Sequence, residues 1–144
     1  MIKNERQYRI TKAQAEKLHR AILEYTKTSP RPIHPVLRKA QLDALKSQVN
    51  DLKRELTEYE RLKSGKQKTI ALGSLEEVPK TLIQARIACG LSQEQLAAKL
   101  GLKPQQVQRY EASEYRSASL ERVTEVARVL GLKLRHPAEV RLAS

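Results

Sequence analysis

The sequence predicts an all-α chain. A coiled-coil-like two-helix hairpin occupies residues 1–64, a linker with a short extended segment 65–78, and a compact helical domain 79–144. Three observations carry this. Apolar residues recur at steps of three and four through each long stretch. Thr11, Ser74 and Ser92 each stand three places before a Gln or Glu (Gln14, Glu77, Gln95), the pattern of a capping box that starts a helix. Gly65, Gly101 and Gly131 fall at the ends of periodic runs, where glycine closes a helix most cheaply.

Composition narrows the function classes. The 144 residues allow one or two small domains, and without Trp or Phe the cores rest on Leu, Ile, Val, Ala and Tyr. The apolar runs are too short to span a membrane, and the N-terminus is too polar for a signal peptide. The single cysteine, Cys89, makes no internal disulfide, so a cytoplasmic protein is expected, nucleoid-associated when bound to DNA. The net charge of +12 favours an acidic partner, nucleic acid first. Its distribution is uneven: residues 1–68 hold 17 Lys/Arg and 8 Asp/Glu, net +9, and the remainder is net +3. The N-terminal part therefore touches phosphates or meets an acidic protein.

Residues 1–10, with Lys3, Arg6 and Arg9, read as a basic arm or a frayed terminus. A helix is expected from Thr11 to Lys27, with Ala15, Leu18, Ile22 and Tyr25 on one face and His19 in solvent. Pro30, Pro32 and Pro35 end it. The longest helix follows, from Val36 to Lys63, with Pro35 in its first turn. Leu42, Leu45, Val49, Leu52, Leu56 and Tyr59 form a heptad seam along it. One such stripe is not stable alone in water. The first helix folds back on it, and the part of the seam left open is expected to form a homodimer or partner contact. Ser64–Lys68 is the expected domain boundary. Thr69–Leu72 reads as a brief strand or an extended packing segment, and Ser74 with Glu77 as the start of a turn of helix.

In the second half, Ser92 starts a helix whose Leu96, Ala97 and Leu100 share one face, and Gly101 ends it. Pro104 fits the first turn of the next helix, since its missing N–H costs nothing there. Val107 and Tyr110 point that helix inward, while Gln105, Gln106, Gln108 and Arg109 face out. Small Ala97 permits a close crossing. The pair has the form of a helix-turn-helix, whose second helix enters the major groove. Glutamine pairs bidentately with adenine, and arginine or lysine with guanine, so Lys103, Gln105, Gln106 and Arg109 are the candidate base readers. Ser117 is the expected cap of a last helix, Ala118–Leu130, with Leu120, Val123, Ala127 and Leu130 inward. The tail to Ser144 reads equally as helix or strand.

Residues 79–134 resemble the Xre family, the helix-turn-helix of Cro and the lambdoid repressors. The likeness rests on Leu91-Ser92-Gln93, Leu96-Ala97, Leu100-Gly101, Val107, Glu111, Ser117-Ala118-Ser119-Leu120-Glu121 and Ala127-Arg128-Val129-Leu130-Gly131-Leu132. The resemblance implies a five-helix domain with a DNA-reading third helix and a buried ion pair at Arg86 and Glu111. It places Gln93 against a phosphate, with Ser92, Arg116 and Ser119 as further phosphate candidates, and Gln105 and Arg109 at base-reading positions. Pro104 departs from the pattern, since several repressors read a base there. The turn Ala112–Tyr115 lacks the common glycine.

No enzyme constellation stands out. His19, His34, His136 and Cys89 lack metal-ligand spacing, and no phosphate loop or nucleophile elbow is present, so no metal or cofactor is expected. Cys89 is expected to be a small buried residue, with a redox sensor as the lesser alternative. The expected function is a homodimeric repressor of a palindromic double-stranded operator. The layout resembles HigA-type antitoxins, as does the opening Ile2–Gln14, which implies a cognate toxin held by the N-terminal helices. The alternatives are an Xre-type phage or plasmid regulator without a toxin, and a helical adaptor that binds DNA weakly.

Overall fold

Asn4 starts the first helix. Its side-chain oxygen accepts the Gln7 N–H at 2.9 Å, and Gln7 Oε1 accepts the Lys3 N–H at 2.8 Å. Helix α1 therefore spans Glu5–Lys27, six residues earlier than the Thr11–Gln14 pair predicted, and that pair lies inside the helix. The computed structural model describes residues 1–27 and 34–135. The reading of residues 1–10 as an arm or a frayed end is corrected. Ile2 is buried, and the Met1 amine pairs with Glu55 Oε1 at 3.0 Å, so the N-terminus is fastened to the second helix.

Helix α2 spans Pro35–Lys63, with Pro35 in the first turn as expected. Residues 28–33, where Pro30 and Pro32 fall, lie outside the described residues. His34 caps α2, its Nδ1 accepting the Val36 N–H at 3.4 Å. The chain divides into two compact units, Met1–Lys68 and Thr69–Ser144.

In the first unit, α1 and α2 pack as an antiparallel hairpin. At one end Tyr25 Oη donates to Gln41 Oε1 at 2.5 Å; at the other Tyr8 Oη donates to Glu60 Oε1 at 2.5 Å. Tyr8 also stacks on Tyr59, with ring centroids 5.3 Å apart. Lys63 pairs with Glu5, and that hydrogen bond holds the Glu5 carboxyl below the usual carboxylate range. Ala15, Ile22, Val49, Tyr59 and Leu62 are the buried residues of the two helices. Of the heptad seam, Val49 and Tyr59 are buried and Leu42, Leu45, Leu52 and Leu56 half-buried. Most of the seam is thus used within the hairpin. A first helix starting at Thr11 would leave more of it open; the start at Glu5 lengthens the cover. Among the described residues, the large uncovered apolar side chains of this unit are Ile10, Leu23, Val36 and Leu37.

In the second unit, Thr69–Leu72 forms no strand, since no partner strand exists among the described residues. Leu75–Glu77 is one 3-10 turn. The Ser74–Glu77 box does not close: Glu77 Oε2 instead accepts the Gly73 N–H at 2.7 Å. Four α-helices follow: α3 (Val78–Ala88), α4 (Gln93–Lys99), α5 (Pro104–Ala112) and α6 (Leu120–Val129). The fifth helix implied by the resemblance is not among the described residues, and the tail 136–144 lies outside them. Leu82, Ile83, Leu96, Ala97, Val107 and Val126 form the centre of the core, each at most 1 % exposed.

Two further expectations are corrected. The cap of α6 is Ser119, whose Oγ accepts the Arg122 N–H at 3.2 Å, rather than Ser117. With the helix starting two residues later, Leu120 sits in its first turn and is 80 % exposed, while Val126, which was not singled out, takes the central place. Cys89 is exposed at the C-terminal end of α3 and is not a core residue.

Candidate nucleic-acid interface

Two helix starts and one buried pair shape the outward surface of the second unit. The Ser92 box closes as its spacing predicts: Ser92 Oγ accepts the Gln95 N–H at 3.1 Å, and Gln95 Oε1 accepts the Ser92 N–H at 2.8 Å. Gly101 adopts φ +64°, a left-handed conformation that glycine takes without strain. The Leu102 N–H turns back to the Ala97 carbonyl at 2.9 Å, closing the end of α4. Ala97 is fully buried, which lets α5 cross closely behind it.

Lys103 is extended, and Pro104 opens α5. Gln106 then folds its side chain back, so that its Oε1 accepts the Lys103 N–H at 3.0 Å. Lys103, Gln105, Gln106 and Arg109 are all exposed. Gln105 and Arg109 stand one turn apart on the same face. Gln106 shares that surface, but its carbonyl oxygen serves the helix start. Bidentate pairing with adenine needs that oxygen, so Gln106 would have to release the Lys103 N–H to read a base. The Lys-x-x-Gln spacing here repeats Ser92-x-x-Gln95, and it was a signal for this capping role.

Behind α5 lies the buried pair. Arg86 Nε donates to Glu111 Oε1 at 2.5 Å and Nη2 to Oε2 at 2.8 Å, with Glu111 0 % and Arg86 2 % exposed. Arg86 Nη1 also donates to the Leu91 carbonyl at 2.7 Å, which ties the α3–α4 turn to the same group. Gln93 Nε2 donates to Glu111 Oε2 at 2.7 Å. The start of α4, the end of α5 and the last turn of α3 therefore meet at one carboxylate. Gln93, read as a phosphate contact, has its amide engaged in this network. Ser92 Oγ and Ser119 Oγ likewise act as helix caps, and Arg116 is exposed.

Glu114 and Tyr115 follow α5 with φ +49° and +57°, the turn where the expected glycine is missing. Such conformations cost non-glycine residues about 1 kcal/mol or more. Burial of Tyr115, the bond from its N–H to the Tyr110 carbonyl (2.6 Å) and stacking on the Tyr110 ring (6.0 Å between centroids) hold the turn. Burial pushes the Tyr115 phenol well above its ordinary range; the Glu111 charge adds to this, and Arg86 offsets part of it. No periodicity marked Tyr115 as buried, because it sits in a turn.

Two helices joined by a glycine turn, locked from behind by an Arg–Glu pair and polar on the outer face of the second, are the frame of a major-groove reader. Residues 82–136 match the family HTH_3, Helix-turn-helix. This segment is a helix-turn-helix domain of the Xre/Cro type. Neither the curated proteins nor the solved structures give a match to the chain. A helix-turn-helix domain points to DNA binding, the work of transcription regulators. Among the described residues, no group of three His, Cys, Asp or Glu side chains is placed to hold a metal, and no helix is long and apolar enough to cross a membrane.

Proposed function

We propose that this chain is a sequence-specific transcriptional repressor that serves as the antitoxin of a type II toxin–antitoxin pair. The observation that carries the repressor reading is the exposed row Lys103, Gln105 and Arg109 on α5, held by the buried Arg86–Glu111 pair within a helix-turn-helix match. Gln105 and Arg109 read base edges; Lys103 and Arg116 meet base edges or phosphate at the groove wall. Ser92 and Ser119 keep their capping bonds and offer hydroxyl hydrogens to phosphate. A homodimer places two α5 helices in half-sites about 34 Å apart on a palindromic operator and represses by covering the promoter.

The antitoxin reading rests on the layout: a helical hairpin joined to one helix-turn-helix domain. The hairpin supplies the dimer or toxin contact through the half-exposed flank of Leu42, Leu45, Leu52 and Leu56 and the exposed Ile10, Val36 and Leu37. Such a protein works in the cytoplasm, on the nucleoid when bound.

Binding to its own upstream DNA and to a shuffled copy, at about 150 mM salt where counterion release no longer dominates, tests the repressor reading. A preference of about a thousandfold or more is expected, and equal binding to both DNAs rejects it. Deleting the neighbouring gene tests the antitoxin reading: this chain should become dispensable only when that gene is gone.

A further inference from the structure

The hairpin carries a charge pattern that the packing of its two helices leaves unexplained. Lys39, Lys46 and Lys53 recur every seven residues along α2, and all three are exposed. Glu60 continues their line, and Tyr8 reaches it. The lysine line therefore borders the flank of α1 that carries Tyr8 and, one turn on, Lys12. Arg20 and Lys27, both exposed, follow further round α1, on the side turned away from the buried Ala15 and Ile22.

The Tyr25–Gln41 and Tyr8–Glu60 bonds fix the register of the hairpin. Lys12 stands level with Lys53, Arg20 with Lys46, and Lys27 with Lys39. These three basic rungs run for about 21 Å along the helices, at 1.5 Å per residue. None of the six closes an ion pair among the described residues. Of the carboxylates nearby, Glu5 is held by Lys63 and Glu60 by Tyr8, and Glu16, Glu24 and Asp43 are the other acidic groups bordering the rungs.

We infer that this face of the hairpin is a second DNA contact, which grips the phosphate backbone beside the site read by α5. The inference rests on the DNA-binding reading above and deepens it. Two observations favour a duplex over an acidic protein. Protein interfaces are depleted in lysine and centred on buried aromatic or apolar anchors, whereas this face offers five lysines and one arginine, with Leu23 and Val36 exposed at its margin. Lysine and arginine are the side chains that neutralise phosphates, and about 21 Å of duplex presents roughly six phosphates on each strand. The tether adds a third argument. The chain from Ser64 to Ser74 joins the hairpin to the helix-turn-helix domain, so once α5 is seated the hairpin meets the same duplex at high effective concentration.

The test uses the full chain and two triple variants, Lys39→Gln/Lys46→Gln/Lys53→Gln and Lys12→Gln/Arg20→Gln/Lys27→Gln. Affinity for a shuffled duplex of about 30 base pairs is measured across salt concentrations, with circular dichroism to verify folding. Each triple variant should lower the slope of log affinity against log salt by about 2–3, because about 0.9 is lost per phosphate contact. The ratio of upstream to shuffled DNA binding should hold, since α5 is untouched. Wild-type slopes in both variants would overturn the second contact and leave the repressor reading standing. Loss of sequence preference in the wild type, with the slopes still reduced in the variants, would overturn the repressor reading and support the second contact. Poly-glutamate binding that the variants lose, with duplex binding unchanged, would assign the face to an acidic protein instead and overturn the proposal.

Discussion

Arg86 and Glu111 form a two-point, fully buried ion pair that joins the helix before the helix-turn-helix to the end of its second helix. Burying two charges costs several kcal/mol each unless every partner is supplied, and here Leu91 and Gln93 complete the set. The pair therefore fixes position more than it adds stability.

Removing one member should be far worse than removing both. Arg86→Ala strands a buried carboxylate and should destabilise the DNA-binding unit by about 3–5 kcal/mol, while Arg86→Met with Glu111→Leu should lie much closer to the wild type. Thermal unfolding of the three proteins measures this. Equal losses in the single and double variants would mean that packing, not charge, sets the cost.

Gln93 should be sensitive to charge rather than to size. Gln93→Glu sets a second carboxylate beside Glu111, 2.7 Å from the present donor. Two carboxylates so placed raise each other's pKa, so the variant should be less stable at neutral pH and recover as the pH falls and the introduced group takes up a proton. Unfolding followed from pH 7 to pH 5 gives the result. A uniform loss over that range would argue that Gln93 does not bond Glu111.

Gln105 and Gln106 are neighbours with different work. Gln106→Ala removes the cap on the Lys103 N–H and should cost about 1 kcal/mol of stability. Gln105→Ala should leave stability unchanged and weaken specific DNA binding by about 1–3 kcal/mol. Paired melting and binding curves separate the two. Equal binding losses would show that Gln106 gives up its cap to read a base.

Tyr115 gives the domain an alkaline limit. Its phenol is raised in the folded state, chiefly by burial, so the folded chain holds the proton where the unfolded chain has lost it. Its contribution is complete below the unfolded value of about 10 and declines as the pH rises above it. Tyr115→Phe removes the titrating group and should flatten that decline. Unfolding midpoints between about pH 9 and 11 test this; identical slopes in both proteins would place the alkaline loss elsewhere.

Local spacing determined much of this protein. The all-α class, the long second helix from Pro35, the Ser92–Gln95 box and the left-handed Gly101 follow from interactions within one or two turns, which a sequence states directly. The exposed row on α5 was legible for the same reason, since Val107 had to point inward. Choices between competing local signals needed the tertiary structure. The Thr11–Gln14 spacing points to a helix start at Thr11, but burial of Ile2 and the Met1–Glu55 pair draw the first helix back to Glu5. Ser117 and Ser119 are equally good caps, and the choice of Ser119 left Leu120 in solvent and put Val126 in the core. The engagements of Gln93 with Glu111 and of Tyr115 with the end of α5 likewise depend on where distant turns meet. A side chain's type gives its capacity for hydrogen bonds and burial. Only packing decides which partner it finds, because that partner arrives from another part of the chain.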